Sequence, residues 1–409
     1  MSDLNKRNRK RHCMVVHAYY PMGETRVERQ ALALTDCGID VDIICLRKSG
    51  EPALETLNGV GVYRLPVRRH KGGGIAVQLL EYLAFFGLVF AHLTRLYFQK
   101  HYDVVQVHNL PDFLVFAALV PKLAGAKIIL DLHDLMPEFY TERFQQPMNS
   151  VPVNMIRWEE MLSCRFADHI ITVTDLWRQA LIKRGQASDK ITVVMNVADD
   201  RIFNPMVTAS HQDDHDGRFR LIYHGNLDRR YGLDLALKAM DMVRQTTPEI
   251  HLTLHGRGEY YETLVTMVAE MGLEDFVYFS RDFVATKELA KRIKAVHLGI
   301  VPYRDGLFTG TILPTKLMEY AALGVPAIAA RTSTIAAHFD DTMIEFFTPG
   351  DAVELARCIQ RLFRDRDRLA ELGRNITKFY ERYPWSEQSL NYLNLVERVA
   401  RRGHNAGKR

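Results

Sequence analysis

The chain has 409 residues, of which 47% are hydrophobic, and a formal net charge of +4. At about 100–200 residues per domain, this length predicts two to three domains with ordinary cores. So small a net charge gives no global field for nucleic acid, which is excluded as a partner.

Lys6, Arg7, Arg9, Lys10 and Arg11 open the chain with no apolar h-region behind them, so no signal peptide is expected. A buried strand is predicted over Cys13–Ala18. An amphipathic helix follows over Arg26–Cys37, with Val27, Ala31, Leu34 and Thr35 on one side and Gly38 closing it. Val41–Leu46 is the next strand. A second basic cluster comes at Arg68, Arg69, His70 and Lys71, and a third near the end at Arg401, Arg402, Lys408 and Arg409. These clusters read either as solvated segments or as attraction to an anionic membrane surface, worth about 1 kcal/mol per basic residue near it.

The stretch from Ile75 to Phe98 stands apart, because Tyr82 to Thr94 carries no Asp, Glu, Lys or Arg. As a helix those thirteen residues reach only about 20 Å, against a hydrocarbon core of about 30 Å. A spanning helix is therefore not expected. A core helix and an interfacial helix dipping into one leaflet both remain, the second favoured by the basic flank and by Tyr82, Phe85, Phe86, Phe90, Tyr97 and Phe98.

Strands follow at Val104–His108, Lys127–His133 and His169–Thr174. After a polar stretch the alternation restarts with strands at Phe219–His224, Ile250–His255, Val277–Phe279, Leu298–Val301 and Val325–Ala329. Near-continuous apolar strands alternating with helices predict parallel sheets covered on both faces. The fold class is α/β, with two doubly wound domains of similar size that meet near residues 196–217 and present their strand ends to a central cleft. The five cysteines (Cys13, Cys37, Cys45, Cys164, Cys358) have no metal-ligand spacing and suit free thiols in a reducing cytosol. No metal is expected: His211 and His215 lie in the polar linker.

The segment with the most chemistry is Leu313–Glu319. Pro314 suits the first turn of a helix that ends at Gly324. Lys316 and Glu319 share one face near its N-terminus, a natural place for an anion. Glu319 is acceptor-only and fits a pair of sugar hydroxyls. For these two residues alone an ordinary i,i+3 salt bridge on a surface helix is the favoured reading, but the Gly-bearing loop Phe308–Pro314 before them turns the balance toward a site. At the ends of apolar strands stand His133, Asp134 and Glu138, and beside them His108, Asn109 and Asp112. Gly258 closes a weak Gly-x-Gly signal with Gly256.

Residues 314–326 (Pro-Thr-Lys-Leu-Met-Glu-Tyr-Ala-Ala-Leu-Gly-Val-Pro) resemble the donor-site signature of glycosyltransferase family four, in its bacterial polysaccharide branch. The resemblance extends in order through residues 25–38, 108–113, 130–138, 167–174, 193–203, 221–235 and 255–258. It implies the two-domain GT-B fold: an acceptor-binding domain over 1–200, a donor-binding domain over 201–384, and a helix over 385–409 packing back on the first.

The resemblance also implies roles. Glu319 matches the second glutamate of the family's E-x7-E motif, which holds the nucleotide ribose. Thr311 stands where the first is usual, leaving Thr309, Thr311 or the loop backbone to make that contact. Leu313, Pro314 and Thr315 belong to the same donor loop. Asn226 and Tyr231 replace the family's Arg and Lys on the diphosphate, so that role passes to Arg229 or Arg230, beside Gly225. Gly23 approaches a phosphate with its backbone. His133 contacts the transferred sugar; His108, Asn109, Asp112, Asp134 and Glu138 serve the acceptor.

The implied activity is glycosyl transfer from a nucleotide-diphosphate sugar, with retention of configuration and without a cofactor or metal. Lys316 and Arg229 or Arg230 stabilise the leaving diphosphate. The acceptor is expected to be a lipid-linked saccharide, met by a cytoplasmic protein peripheral on the inner face of the membrane. A nucleotide-sugar epimerase and a non-catalytic donor-binding scaffold are the alternatives.

Overall fold

The computed structural model describes residues 10–22, 24–69, 74–207, 217–281 and 284–406. They form two compact units. One takes the chain up to Asn196 together with the residues from Glu387 onward, and the other is Val197–Ser386.

The first unit is built on eight strands: β1 (Arg11–Tyr19), β2 (Asp40–Leu46), β3 (Leu54–Leu57), β4 (Val60–Leu65), β5 (Val104–His108), β6 (Lys127–Asp131), β7 (His169–Thr172) and β8 (Ile191–Val193). Their order is β3-β4-β2-β1-β5-β6-β7-β8, parallel except for β3 against β4. That antiparallel hairpin was not anticipated from the sequence. Its turn is Asn58-Gly59, both at positive φ (50° and 82°), the pair that a two-residue hairpin turn favours.

The helix Thr25–Asp36 covers this sheet with Val27, Ala31 and Leu34, but it also buries Arg26, Arg29 and Gln30. The last helix, Trp385–Ala406, adds Tyr392, Leu395, Val396, Val399 and Ala400 to the same core as Met14, Val16 and Val27. Burying each of Leu395, Val396 and Val399 stabilises the unit by about 1.5–3 kcal/mol.

The helix Ile75–Lys100 has a buried face, as a core helix would, and an exposed apolar stretch. Phe85, Val89, Leu93 and Leu96 are buried at helical spacing, against β1, β4 and the turns after β5. Val77, Leu79, Leu80 and Leu83 on its first half are exposed. By length and composition alone it is apolar enough to cross a membrane, yet one face is committed to the core of this unit.

The second unit has six parallel strands: β9 (Phe219–Asn226), β10 (Ile250–Arg257), β11 (Val277–Ser280), β12 (Leu298–Val301), β13 (Ala327–Ala330) and β14 (Glu345–Phe347). Their order, β11-β10-β9-β12-β13-β14, is the doubly wound pattern whose direction reverses between β9 and β12. The first unit reverses in the same way between β1 and β5. Ligands of such sheets bind outside the carboxyl ends of the strands at these reversals.

Candidate active site

At the reversal in the second unit the strand ends are bare backbone. β9 and β10 run in register to Gly225 opposite Gly256 and Asn226 opposite Arg257. A Cβ on Gly256, at φ 148°, would lie 1.8 Å from the Gly225 carbonyl oxygen. One on Gly258 would lie 2.0 Å from the Leu227 carbonyl oxygen. Only glycine permits this approach.

Against the bare strand ends stands the helix Thr315–Leu323, with Pro314 as its N-cap and Gly324 in the left-handed conformation at its end. Leu317, Met318, Tyr320, Ala321 and Ala322 are buried. Gly299 of β12 makes room for the Tyr320 ring, since a Cβ there would meet it at 2.5 Å. The Tyr320 hydroxyl donates to the Ile222 carbonyl at 3.1 Å.

This packing carries Lys316 to Gly225. Lys316 is only 6% exposed. Its Nζ donates to the Tyr303 hydroxyl at 2.6 Å and lies 4.8 Å from the Tyr223 and Tyr303 ring centres and 5.3 Å from that of Tyr231. Burial pushes the amine down to about 7, with Glu319 opposing. Glu319 is half-buried and pairs with His224 Nε2, whose other ring nitrogen lies 3.2 Å from the Tyr320 hydroxyl.

The two arginines left undivided by the sequence separate. Arg230 and Tyr231 sit in a short turn whose opening residue, Asp228, accepts from the Arg230 amide and, at 2.6 Å, from its Nη2. The Arg230 guanidinium lies 5.6 Å from the Tyr231 ring and 5.9 Å from the Phe308 ring, and it acts electrostatically on Tyr303. Tyr231 in turn stacks on Tyr303 at 4.8 Å. Arg230 is thus beside the Lys316 cage. Arg229 is exposed and acts on Tyr260, where Arg304 is ion-paired to Asp234 at 2.6 Å.

The donor loop is more self-contained than expected. Thr309 is fully buried, and its hydroxyl accepts from the Gly306 amide at 3.0 Å. The Thr311 hydroxyl donates to the Phe308 carbonyl at 2.9 Å. Both side chains therefore build the loop, which leaves backbone groups to meet a ligand. The Gly310 carbonyl is held by Ser333 and Thr334. Leu313 is half-buried and Pro314 buried, while Thr315 and Asn226 are exposed. Gly23 lies outside the described residues.

In the first unit the chemistry gathers at the ends of β5 and β6. His108 Nδ1 lies 3.0 Å from His133 Nε2, and Asp131 Oδ2 lies 3.5 Å from the former and 3.9 Å from the latter. The nearer carboxylate favours the shared proton on His108, which leaves His133 protonated at Nδ1 as a neutral donor. Burial pushes His108 well down and His133 down to about 4, with Asp131 opposing in each case. Burial would raise Asp131, but Arg26 and the two histidines outweigh it and hold the carboxyl well below its usual range.

Arg26, Gln30 and Gln106 all donate to Asp131, and Tyr392 donates to Gln106 at 2.7 Å. His108, Asp131 and His133 do place three ligand-type atoms within 4.8 Å of one another. The Asp131 oxygens already carry these bonds, and the Arg26 charge sits against them. The residues present do not fit a dication.

Among the residues expected to meet the acceptor, burial draws a line. Asn109 donates to Asp112 and to the Asp134 carbonyl, and its own Oδ1 accepts from the His133 amide at 2.7 Å. Asn109 and Asp112 are buried, so they hold the loop in place. Glu138 is paired with Arg184, which also grips Glu160 at 2.7 Å. Asp134 alone of this group is half-buried, as is His133, the residue expected at the transferred sugar.

Glu24 was not singled out by the sequence. Burial pushes its carboxyl up to about 7, against Arg69 and with help from Asp134. The missed signals were polar residues on apolar faces: Arg26 and Gln30 beside Val27 and Ala31, and Asp131 in an apolar strand.

Two Rossmann-like units in one chain are the architecture of the GT-B class. A family model described as a glycosyl transferase 4-like domain matches residues 23–196. A model described as glycosyl transferases group 1 matches residues 218–365. With one match on each unit, the chain belongs to the GT4-type glycosyltransferases.

The amylovoran biosynthesis glycosyltransferase AmsK of Erwinia amylovora is 26% identical over 198 residues, 47% of each chain. The putative colanic acid biosynthesis glycosyltransferase WcaL of Escherichia coli is 24% identical over 56% of this chain and 55% of its own. This chain thus spans about half the length of these relatives. Sucrose-phosphate synthase from Thermosynechococcus elongatus shares the fold at a TM-score of 0.76, with 18% identity over 96% of this chain and 99% of that one. Anabaena HepE in complex with UDP-glucose does so at 0.70, with 15% identity over 95% and 99%.

Proposed function

We propose that this chain transfers a sugar from a nucleotide-diphosphate sugar to a saccharide acceptor in the synthesis of a cell-surface or exported polysaccharide. The observation that carries the reading is Lys316 at the first turn of its helix, pressed against the glycine-only ends of β9 and β10. A buried lysine amine, the amides of a helix N-terminus and bare backbone suit a diphosphate. Glu319, oriented by His224, suits the two ribose hydroxyls.

Breaking the glycosidic bond builds positive charge on the sugar carbon and negative charge on the departing diphosphate. Lys316 and the helix amides meet that negative charge, and Arg230 is the nearer of the two arginines to Lys316. Such preorganised groups supply about 3–4 kcal/mol each at developing anions. No metal is required by this arrangement. Retention of configuration follows from the family resemblance. In that course the acceptor attacks from the face the diphosphate leaves, and the diphosphate takes the acceptor's proton. In the first unit His133, as a neutral N–H donor, and Asp134, as an acceptor, suit sugar hydroxyls.

The acceptor is lipid-linked in this reading, and the protein works at the inner face of the cell membrane. Support comes from the exposed apolar side of the helix Ile75–Lys100, with exposed Arg68 and Arg69 preceding it. Relatives named for amylovoran and colanic acid biosynthesis are consistent with polysaccharide synthesis.

The test is a panel of nucleotide sugars offered with lipid-linked saccharides, with products followed by mass. Sugar addition to an acceptor supports the reading. An isomerised donor would mean an epimerase, and binding without any turnover would mean a scaffold.

A further inference from the structure

The amine of Lys316 has an unusual set of neighbours for a buried cation. Among the described residues its one hydrogen-bond partner is the Tyr303 phenol, and three tyrosine rings surround it. Among the described residues no carboxylate lies within ion-pairing distance of it. Glu319, three residues on, is turned to His224. A cation taken out of water without a counterion is unfavourable, and aromatic faces offset that only in part.

We propose that Tyr303 and Tyr231 are positioning residues that keep the Lys316 amine dry and without a counterion, so that it takes up a proton from solvent when the donor's diphosphate arrives beside it. This deepens the donor-site reading given above and rests on it. The proton balance is simple: the neutral amine of the free protein becomes an ammonium paired with the diphosphate, and one proton leaves the solvent.

Three observations support it. Tyr231 is stacked on Tyr303, and its ring centre lies 5.3 Å from the amine. With a ring there, the site holds fewer fixed charges before the ligand binds. Burial has already pushed Lys316 down to about 7, so near neutral pH the free protein holds much of this group uncharged. The access is also right, since the Gly225 Cα is next to the amine: a Cβ there would be 3.7 Å from Nζ.

Other ionisable groups face the cage. The helix of Lys316 brings Glu319 and Tyr320. β9 brings Tyr223 and His224, the turn at 228–231 brings Asp228, Arg230 and Tyr231, and the segment after β12 brings Tyr303. Burial pushes Tyr223, Tyr303 and Tyr320 well up, so they stay neutral. His224, paired with Glu319 and beside the Tyr320 hydroxyl, is the control for assigning the proton to Lys316.

The test is titration calorimetry of the whole chain with UDP-glucose and GDP-mannose, whose diphosphates do not titrate near neutral pH. It is run in buffers of different ionisation heat at pH 6 and pH 8. For whichever donor binds, uptake close to one proton is expected at pH 8 and little at pH 6. Affinity should weaken by up to about tenfold per pH unit above 7.

Lys316→Arg, with a permanent charge, should bind without uptake. Tyr303→Phe should move the midpoint of the pH profile, and His224→Gln should keep the uptake. Binding at pH 8 without proton uptake overturns the proposal, as does uptake that persists in Lys316→Arg or vanishes in His224→Gln. If neither donor binds the wild type, the donor-site reading fails first and this proposal with it.

Discussion

Arg26 grips Asp131 through Nη2 at 2.9 Å and Nε at 3.2 Å, and neither side chain is more than 4% exposed. The pair ties the first helix to the end of β6, and the histidines beside it inherit its geometry. Removing one partner strands a buried charge, which costs about 3–5 kcal/mol. Arg26→Met and Asp131→Leu should each lower stability by that order in urea unfolding. The double variant should recover part of the loss. Additive losses would mean that the two groups do not act as a pair.

His12 gives a cleaner pH test. It is buried on β1, and burial pushes it down to about 3, with Gln106 opposing. Its folded value lies below the unfolded one near 6.5, so the unfolded chain binds the proton first. Stability is then lost as pH falls below about 6.5. His12→Leu should gain on the wild type by roughly 1.4 kcal/mol more at pH 5.5 than at pH 7.5. Equal differences at the two pH values would contradict this.

Gly256→Ala puts a methyl group where the Gly225 carbonyl stands, at a φ of 148°. Donor binding should be lost, with a fall in stability of at least about 1–3 kcal/mol. Gly50 has open space around it and φ 86°, so Gly50→Ala should be felt only through its backbone and leave donor binding unchanged.

The apolar side of the helix Ile75–Lys100 can be tested by flotation. The wild type should float with vesicles containing anionic lipid, and Leu80→Glu with Leu83→Glu should reduce this markedly at unchanged melting temperature. A wild type that stays wholly in solution would remove the membrane from the account.

Much of this was legible in the chain because the two sheets announce themselves. Apolar runs such as Cys13–Ala18 and Leu298–Val301 needed only their spacing to be read as buried parallel strands. The start of the donor helix was legible in Pro314 and its end in Gly324. What stayed hidden depends on distant partners. Thr309 and Thr311 look like ligands in sequence, but their hydroxyls are spent within the loop. Glu138 looks available until Arg184, which follows the helix Asp175–Lys183, is brought to it. Arg26 and Gln30 look like surface residues until β6 supplies Asp131. The hairpin at Asn58-Gly59 is a different case: the signal was in the sequence and went unread.

If Lys316 and Glu319 hold the donor, as proposed, paired variants must lose donor binding. Affinity for the nucleotide sugar that binds the wild type is measured for Lys316→Met and Glu319→Ala, alongside the surface variant Lys238→Met as a control. A loss of about 10²–10³-fold in transfer is expected for Lys316→Met. Both site variants should bind more weakly, and the control should be unchanged. Site variants that bind and transfer like the wild type would contradict the donor assignment.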